Sequence, residues 1–374
     1  MALSPSLGLP GSLSFGDMFL VVALMLRGVQ LITTGLNLEE LRNHDLLLVV
    51  FTAICFGGVV SGVVNGQPLE ILLIRMFLAT FGTLFAVAFY GTTRERLKTL
   101  VRAFAVGCTF LALSGWWRPK SDGRAFGYSI HPNLFAHSLV MGLMACVACF
   151  FWTTDRWARI AWATGAAFCL YGIWDSGSRG ALLGLWVAAV LYVGLSGRRW
   201  LAFAALAITW GIAMVFVAGV VQVDDSSALG RLLNGEEDTN VQGSNTERSE
   251  SFEHDIEIIT DKPIFGEGFA GSVFVHVVYL QAWTSAGILG FAAVMLLGLS
   301  MVALPFGRPR AVLALPCGVA GVAAMWFFTN IFGTRDQWFF IVLAYRMART
   351  LPEPVQEDDT VPADGVLEPV GAAE

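Results

Sequence analysis

Charge is what this sequence has least of. Only 14% of its 374 residues are Asp, Glu, Lys or Arg, against about 25% in ordinary soluble domains. With 56% hydrophobic residues, a stack of soluble domains is excluded. Cysteine is sparse and shows no framework. Cys55, Cys108, Cys146, Cys149, Cys169 and Cys317 all fall inside apolar runs. Even Cys146 and Cys149, at a redox-motif spacing, read as small buried thiols, so neither a disulfide nor a metal site is expected. A basic n-region is missing, and Met1–Gly16 reads as a Gly/Pro/Ser-rich leader into a first span rather than a cleavable signal. No internal repeat relates the two halves and no matched pair of broken spans appears, which argues against a carrier. The net charge of −6 sits largely in the C-terminal tail, so no nucleic-acid partner is implied.

What is present is a succession of apolar runs near bilayer length. They predict an all-α, polytopic transmembrane helical bundle of about eleven spans with one large extracytoplasmic loop that contains short helices. The expected spans are Met18–Thr34, Leu46–Val64, Leu69–Tyr90, Leu97–Trp117, Asn133–Trp152, Trp157–Trp174, Gly180–Leu195 and Trp200–Val223. After the loop come Val277–Leu304, Ala311–Phe332 and a short Gln337–Met347. Residues 1–350 thus form one integral-membrane domain, with the loop at 224–276, and 351–374 form a proline-rich, acidic tail expected to be disordered and cytoplasmic.

Lys/Arg placement orients the bundle. With the long loop outside, the inner connections hold Arg42, Arg94, Arg96, Lys98, Arg156, Arg159, Arg198, Arg199, Arg308, Arg310, Arg346 and Arg349, 12 of the 23 basic residues. The exceptions carry the functional information. Arg118, Lys120 and Arg124, then Arg179, then Arg231, Arg248 and Lys262, and Arg335 collect on the outer side, where topology asks for no cations. Guanidinium forks match phosphate oxygens, so such a cluster suits a lipid-linked diphosphate. Arg27 and Arg75 lie within spans, where charge is costly and faces a cavity or a partner. Arg75 is nearer the outer face and extends the anion site in this reading.

The loop opens with a charged run, Asp224–Ser251. Phe252, Ile256 and Ile259 then fall on one helical face, with Ser244 and Glu247 as a capping box. Lys262-Pro263 ends that helix, Gly266, Gly268 and Gly271 allow tight turning, and His276 precedes the next apolar run. His131, beside a proline, reads as a cap or turn residue, while His137 and His254 read as structural. No carboxylate pair stands at i, i+3 or i+4 on the outer helix ends, so a glycosidase-like dyad is not expected.

Three patterns stand together on that side. They are Gly123-Arg124-Ala125-Phe126-Gly127 with His131-Pro132-Asn133, then Asp175-Ser176-Gly177-Ser178-Arg179-Gly180, and then Arg248, Pro263, Gly266-Glu267-Gly268 and His276 with Gly287-Ile288-Leu289-Gly290. In this order, around one large loop, the set resembles the O-antigen ligase and O-antigen polymerase superfamily of integral-membrane glycosyltransferases over roughly Arg118 to Leu343. The resemblance implies an enzyme of the bacterial cytoplasmic membrane that moves a glycan from a polyprenyl-diphosphate carrier to an acceptor hydroxyl. It implies no cofactor and no metal. Partners would be the lipid-linked donor, a glycan, lipid or protein acceptor, and membrane lipid. Arg179 falls at the family's Ser-Arg position, Arg248 at its loop arginine and His276 at its loop-end histidine. By the resemblance the arginines serve the diphosphate and the histidine activates the acceptor. Arg124, Arg75 and Lys120 are expected to assist binding. Ligase and polymerase differ only in the acceptor, the ligase-like description being the first reading and polymerase the alternative, and a solute transporter remains the rival from another class.

Overall fold

The computed structural model describes residues 45–66, 77–90, 93–120, 123–129, 131–197, 239–269, 277–308, 312–328 and 334–350. Among them every regular element is helical. The consecutive helices α3 to α6 each start on a side-chain cap, which supplies the bond that a first-turn amide lacks. Helix α1 is Asp45–Val64, and a π-helical turn at Leu78–Gly82 continues into α2, Thr83–Tyr90. Helix α3, Arg94–Trp117, is capped by Thr93, and α4, Pro132–Trp152, by His131. Helix α5, Arg156–Asp175, is capped by Asp155, and α6, Arg179–Leu195, by Ser178. Then follow α7 (Thr239–Asp261), α8 (Val278–Ala303), α9 (Ala314–Met325) and α10 (Arg335–Thr350).

Leu46–Val64, Arg94–Trp117 and Pro132–Trp152 are long and apolar enough to cross a membrane, and so is Val278–Ala303 by length and composition, although it folds back on itself at Gly287. The chain is a multi-pass membrane protein. Helix α4 is its axis: 72% of its apolar window is buried, against 39–44% for the other three. It packs on α3, α5, α6 and α9. Small residues let these helices close up, as the lack of a hydrophobic drive between helices in lipid requires. A Cβ on Gly184 of α6 would stand 2.9 Å from the Gly321 carbonyl of α9. Aromatic contacts tie the second half of the bundle together, with Phe51 of α1 and Trp326 after α9 both against Trp338 of α10, and Tyr279 of α8 against Trp326.

Several spans differ from expectation. Met18–Thr34, Trp200–Val223 and the tail lie outside the described residues, as does the start of Leu69–Tyr90. The tenth shrinks to the 12 residues of α9, about 18 Å of helix, too short to cross a ~30 Å core. The eleventh grows to the 16 residues of α10.

The largest departure is α8. Gly287 has φ 66° and ψ −165° inside it, and the chain doubles back there. A Cβ on Gly298 would meet the Tyr279 hydroxyl at 2.7 Å, and one on Gly290 would meet the Ala282 carbonyl at 2.7 Å. In a straight helix Tyr279 and Gly298 would stand about 28 Å apart. The expected ninth span, Val277–Leu304, is therefore a helical hairpin. A short arm from Val278 rises to Gly287 and a longer arm from Ile288 returns. Only a residue that tolerates positive φ can make this reversal, and the Ile264 and Phe265 backbone fills the space a side chain would need.

Candidate functional site

The turn between α5 and α6 is where the sequence motifs meet. Ser176 ends α5, Gly177 follows with φ 66°, and Ser178 caps α6 at once. A glycine in the left-handed region just past a helix is the usual way to stop it, and it leaves Ser178 placed to accept from the Ala181 amide at 3.4 Å. The reversal thus takes three residues and keeps Asp175, Ser176 and Arg179 together.

The segment after α3 packs across this turn. The Ala125 amide donates to the Asp175 carbonyl at 2.9 Å, Arg124 Nε donates to the Ser176 carbonyl at 2.7 Å, and Lys120 Nζ meets Asp175 Oδ1 at 2.6 Å. Arg124 also donates to Asn133 Oδ1 at 2.9 Å, in the first turn of α4. His131 caps α4 as expected, its Nδ1 accepting from the Asn133 amide at 3.1 Å. Beside them Arg118 lies over the Tyr128 ring at 5.0 Å. Three cationic residues, Lys120, Arg124 and Arg179, therefore sit around one turn, with Asp175 as the acid bonded to Lys120. Lys120 and Arg124 are engaged in holding the turn. Arg179, half-buried, opens α6 at its positive end, where the helix dipole and unfilled amides favour an anion.

A second junction joins α7 to the hairpin. Lys262 and Pro263 end α7 as expected. The Glu267 and Gly268 amides donate to the Thr284 carbonyl at 2.6 and 3.3 Å, and the Ile288 amide donates to Ile264 at 3.1 Å. Asn65 Nδ2, beyond α1, reaches the Gly266 carbonyl at 3.0 Å. Helix α7 starts earlier than expected, at Thr239, so Ser244 lies within the helix and not at its N-terminus. Its packed face also differs: Phe252 and Ile256 are exposed, while Asp255 and Ile258 are buried. Burial pushes the Asp255 carboxyl up to about 6, with His254 opposing.

Of the expected site residues, Arg179, Arg124 and Lys120 are brought together. Arg248 lies on α7, the same helix as Asp255. Arg75 and His276 lie outside the described residues. The residue after His276, Val277, is the extended N-cap of α8, and the Val278 amide donates to the Trp326 carbonyl at 3.0 Å. Two residues beyond Trp326, the Phe328 Cβ approaches within 3.1 Å of where a Cβ on Gly180 would be. The hairpin's entry and the start of α6 are thus bridged by the chain after α9. His137, which the sequence reading left as structural, is also at this place. Its only signal was its position one turn below Asn133 in an otherwise apolar run.

The fold defines a multi-pass helical membrane protein with a cationic turn at one end of its bundle. The O-antigen ligase family model matches residues 164–295. That stretch runs from within α5 through the Ser178-Arg179 turn, α6 and α7 to beyond the hairpin tip. The match supports placement in the O-antigen ligase and polymerase superfamily, whose members are linked to membrane glycosyl transfer. No curated protein matches the chain.

Proposed function

We propose that this protein is a membrane glycosyltransferase that moves a glycan from a polyprenyl-diphosphate carrier to an acceptor hydroxyl at the outer face of the bacterial cytoplasmic membrane. The observation that carries the reading is the gathering of Lys120, Arg124 and Arg179 around a single turn at the positive end of α6. The family match and the excess of Lys/Arg in the opposite connections support it. The same excess supports an orientation with the loop outside.

In the reaction the acceptor oxygen attacks the anomeric carbon while the bond from that carbon to the diphosphate oxygen breaks. The electron pair leaves with the diphosphate, and the hydroxyl proton passes to His276, the base. Attack opposite the leaving group inverts the anomeric centre. Charge grows on the departing phosphate, and fixed guanidinium groups stabilise it most where water is excluded. Arg179 and Arg248 fill that role, and Arg124 and Lys120 hold the turn that positions Arg179. Arg75 is assigned to the lipid side of the same anion site. Because arginine stays charged without help, the reading calls for no metal, and chelator leaves turnover unchanged.

The test is reconstitution with a lipid-diphosphate glycan and measurement of donor consumption. Arg179→Ala lowers turnover by about 10²–10³-fold and His276→Ala by about 10²–10⁴-fold, both with the folded protein retained. Wild-type turnover in both variants refutes the assignment. Adding a lipid acceptor and, separately, the glycan itself then distinguishes ligase from polymerase.

A further inference from the structure

We propose that His137 touches the substrate, with Nε2 as the hydrogen-bond donor to a diphosphate oxygen on the floor of the site beneath Arg179; this rests on the glycosyl-transfer reading. His137 lies one turn along α4 from Asn133, the residue that Arg124 grips. The two share the face of α4 turned toward the Asp175–Gly180 reversal. The imidazole is only 1% exposed. Its Nδ1 is wholly enclosed and has no hydrogen-bond partner among the described residues. A buried imidazole left in this state is unfavourable unless something else completes it.

Its Nε2 points at the start of α6. It stands 3.7 Å from where a Cβ on Gly180 would be, and Gly180 is the second residue of that helix. The helix cannot satisfy its own first-turn amides, and Ser178 takes only that of Ala181. An anion oxygen seated there would receive the Gly180 amide, the dipole of a 17-residue helix and the imidazole N–H together. Gly180 carries no side chain, and the nearest groups around the position a Cβ would take are Phe328 and the His137 imidazole. Ser138, the next residue, donates to Asp336 of α10 and so faces another helix, which separates its role from that of His137.

The experiment uses the full chain, purified and reconstituted, with two probes: a lipid-diphosphate glycan for turnover and inorganic pyrophosphate for binding. His137→Leu is expected to raise the donor KM and weaken pyrophosphate binding about 10- to 100-fold, with a melting temperature no lower than wild type. His137→Gln, whose amide N–H falls near the Nε2 position, recovers most of both. His137→Asn, whose amide falls near Nδ1, does not. An unchanged KM in His137→Leu overturns the assignment, and so does equal recovery by Gln and Asn. If the wild-type protein binds pyrophosphate through His137 but never consumes the glycan donor, the transfer reading fails and this site stands as a diphosphate site. A wild-type protein that binds neither probe sinks both. A His137→Leu loss confined to the lipid-linked donor identifies the carrier-bound diphosphate, not the free ion, as the ligand.

Discussion

The turn joining α5 to α6 and the tip of the α8 hairpin both reverse a helix around a glycine, yet they are held by different bonds. At the first, side chains do most of the holding, Arg124, Lys120, Ser178 and Asn133, beside the backbone bond from Ala125 to Asp175. At the second, backbone mostly meets backbone, with Glu267, Gly268 and Ile288 amides on carbonyls and Gly266 and Gly287 pressed against peptide groups, and Asn65 and Trp283 add side-chain bonds to the Gly266 and Pro263 carbonyls. A side-chain junction can be retuned residue by residue and can exchange a protein partner for a ligand. A backbone junction has no such freedom and sets where the two arms of the hairpin lie. The candidate chemistry sits at the adjustable junction, and the rigid one carries the segment that begins next to His276.

The widest difference should appear with glycine replacements. Gly287→Ala must place a methyl group into the Ile264–Phe265 backbone from a positive φ, and is expected to cost about 3 kcal/mol or more. Gly194→Ala, with open space around it, is the control. Thermal denaturation followed by size-exclusion chromatography compares them, and equal melting temperatures would show that the hairpin does not depend on Gly287.

Next in size is Arg124→Ala. It leaves the Ser176 carbonyl and Asn133 Oδ1 without their charged donor, at about 1.5–3 kcal/mol per bond in general. The loosened turn should lower turnover more than donor affinity if Arg124 positions Arg179. A rise in donor KM alone would instead assign it direct contact.

A smaller effect separates the two junctions by pH. The Asp255 carboxyl is raised by burial to about 6, so its contribution favours the packed α7 fully below the ordinary carboxylate value near 3.8 and is lost as pH rises through about 6. Hydrogen exchange across Thr239–Asp261, corrected for intrinsic rate, should show more protection at pH 5 than at pH 7.5. Asp255→Asn should remove that difference, and a slope that survives the substitution excludes Asp255 as its source.

Least of all is expected from Lys120→Met. Its ion pair with Asp175 is largely open to solvent at the lysine, and such pairs are worth about 1 kcal/mol or less. A loss as large as that of Arg124→Ala would mean that Lys120 meets the donor directly.

How much of this was legible beforehand varied by element. The four capped helices from Arg94 to Leu195 came within a few residues of their expected ends, because cap, apolar run and turn residue all agree there. The Asp175–Gly180 reversal was legible for the same reason. The inward face of α7 was not. Its apolar period marks Phe252 and Ile256, but lipid solvates apolar side chains as well as protein does, so hydrophobicity does not say which side packs. His137 reads as structural in the sequence because a polar residue in an apolar run carries no direction until its neighbours are placed.

By itself, the order of residues determined that this chain inserts in a membrane as helices. Burying backbone amides in lipid leaves little alternative, and long uncharged runs state that requirement locally. It also marked His131 as a cap and the stretch from Asp175 to Gly180 as a tight turn. Only the tertiary structure decided that the run from Val278 to Ala303 folds back on itself and that His137 lies under the start of α6. Both depend on contacts between residues far apart in the chain, and an apolar run has the same composition whether it crosses once or doubles back.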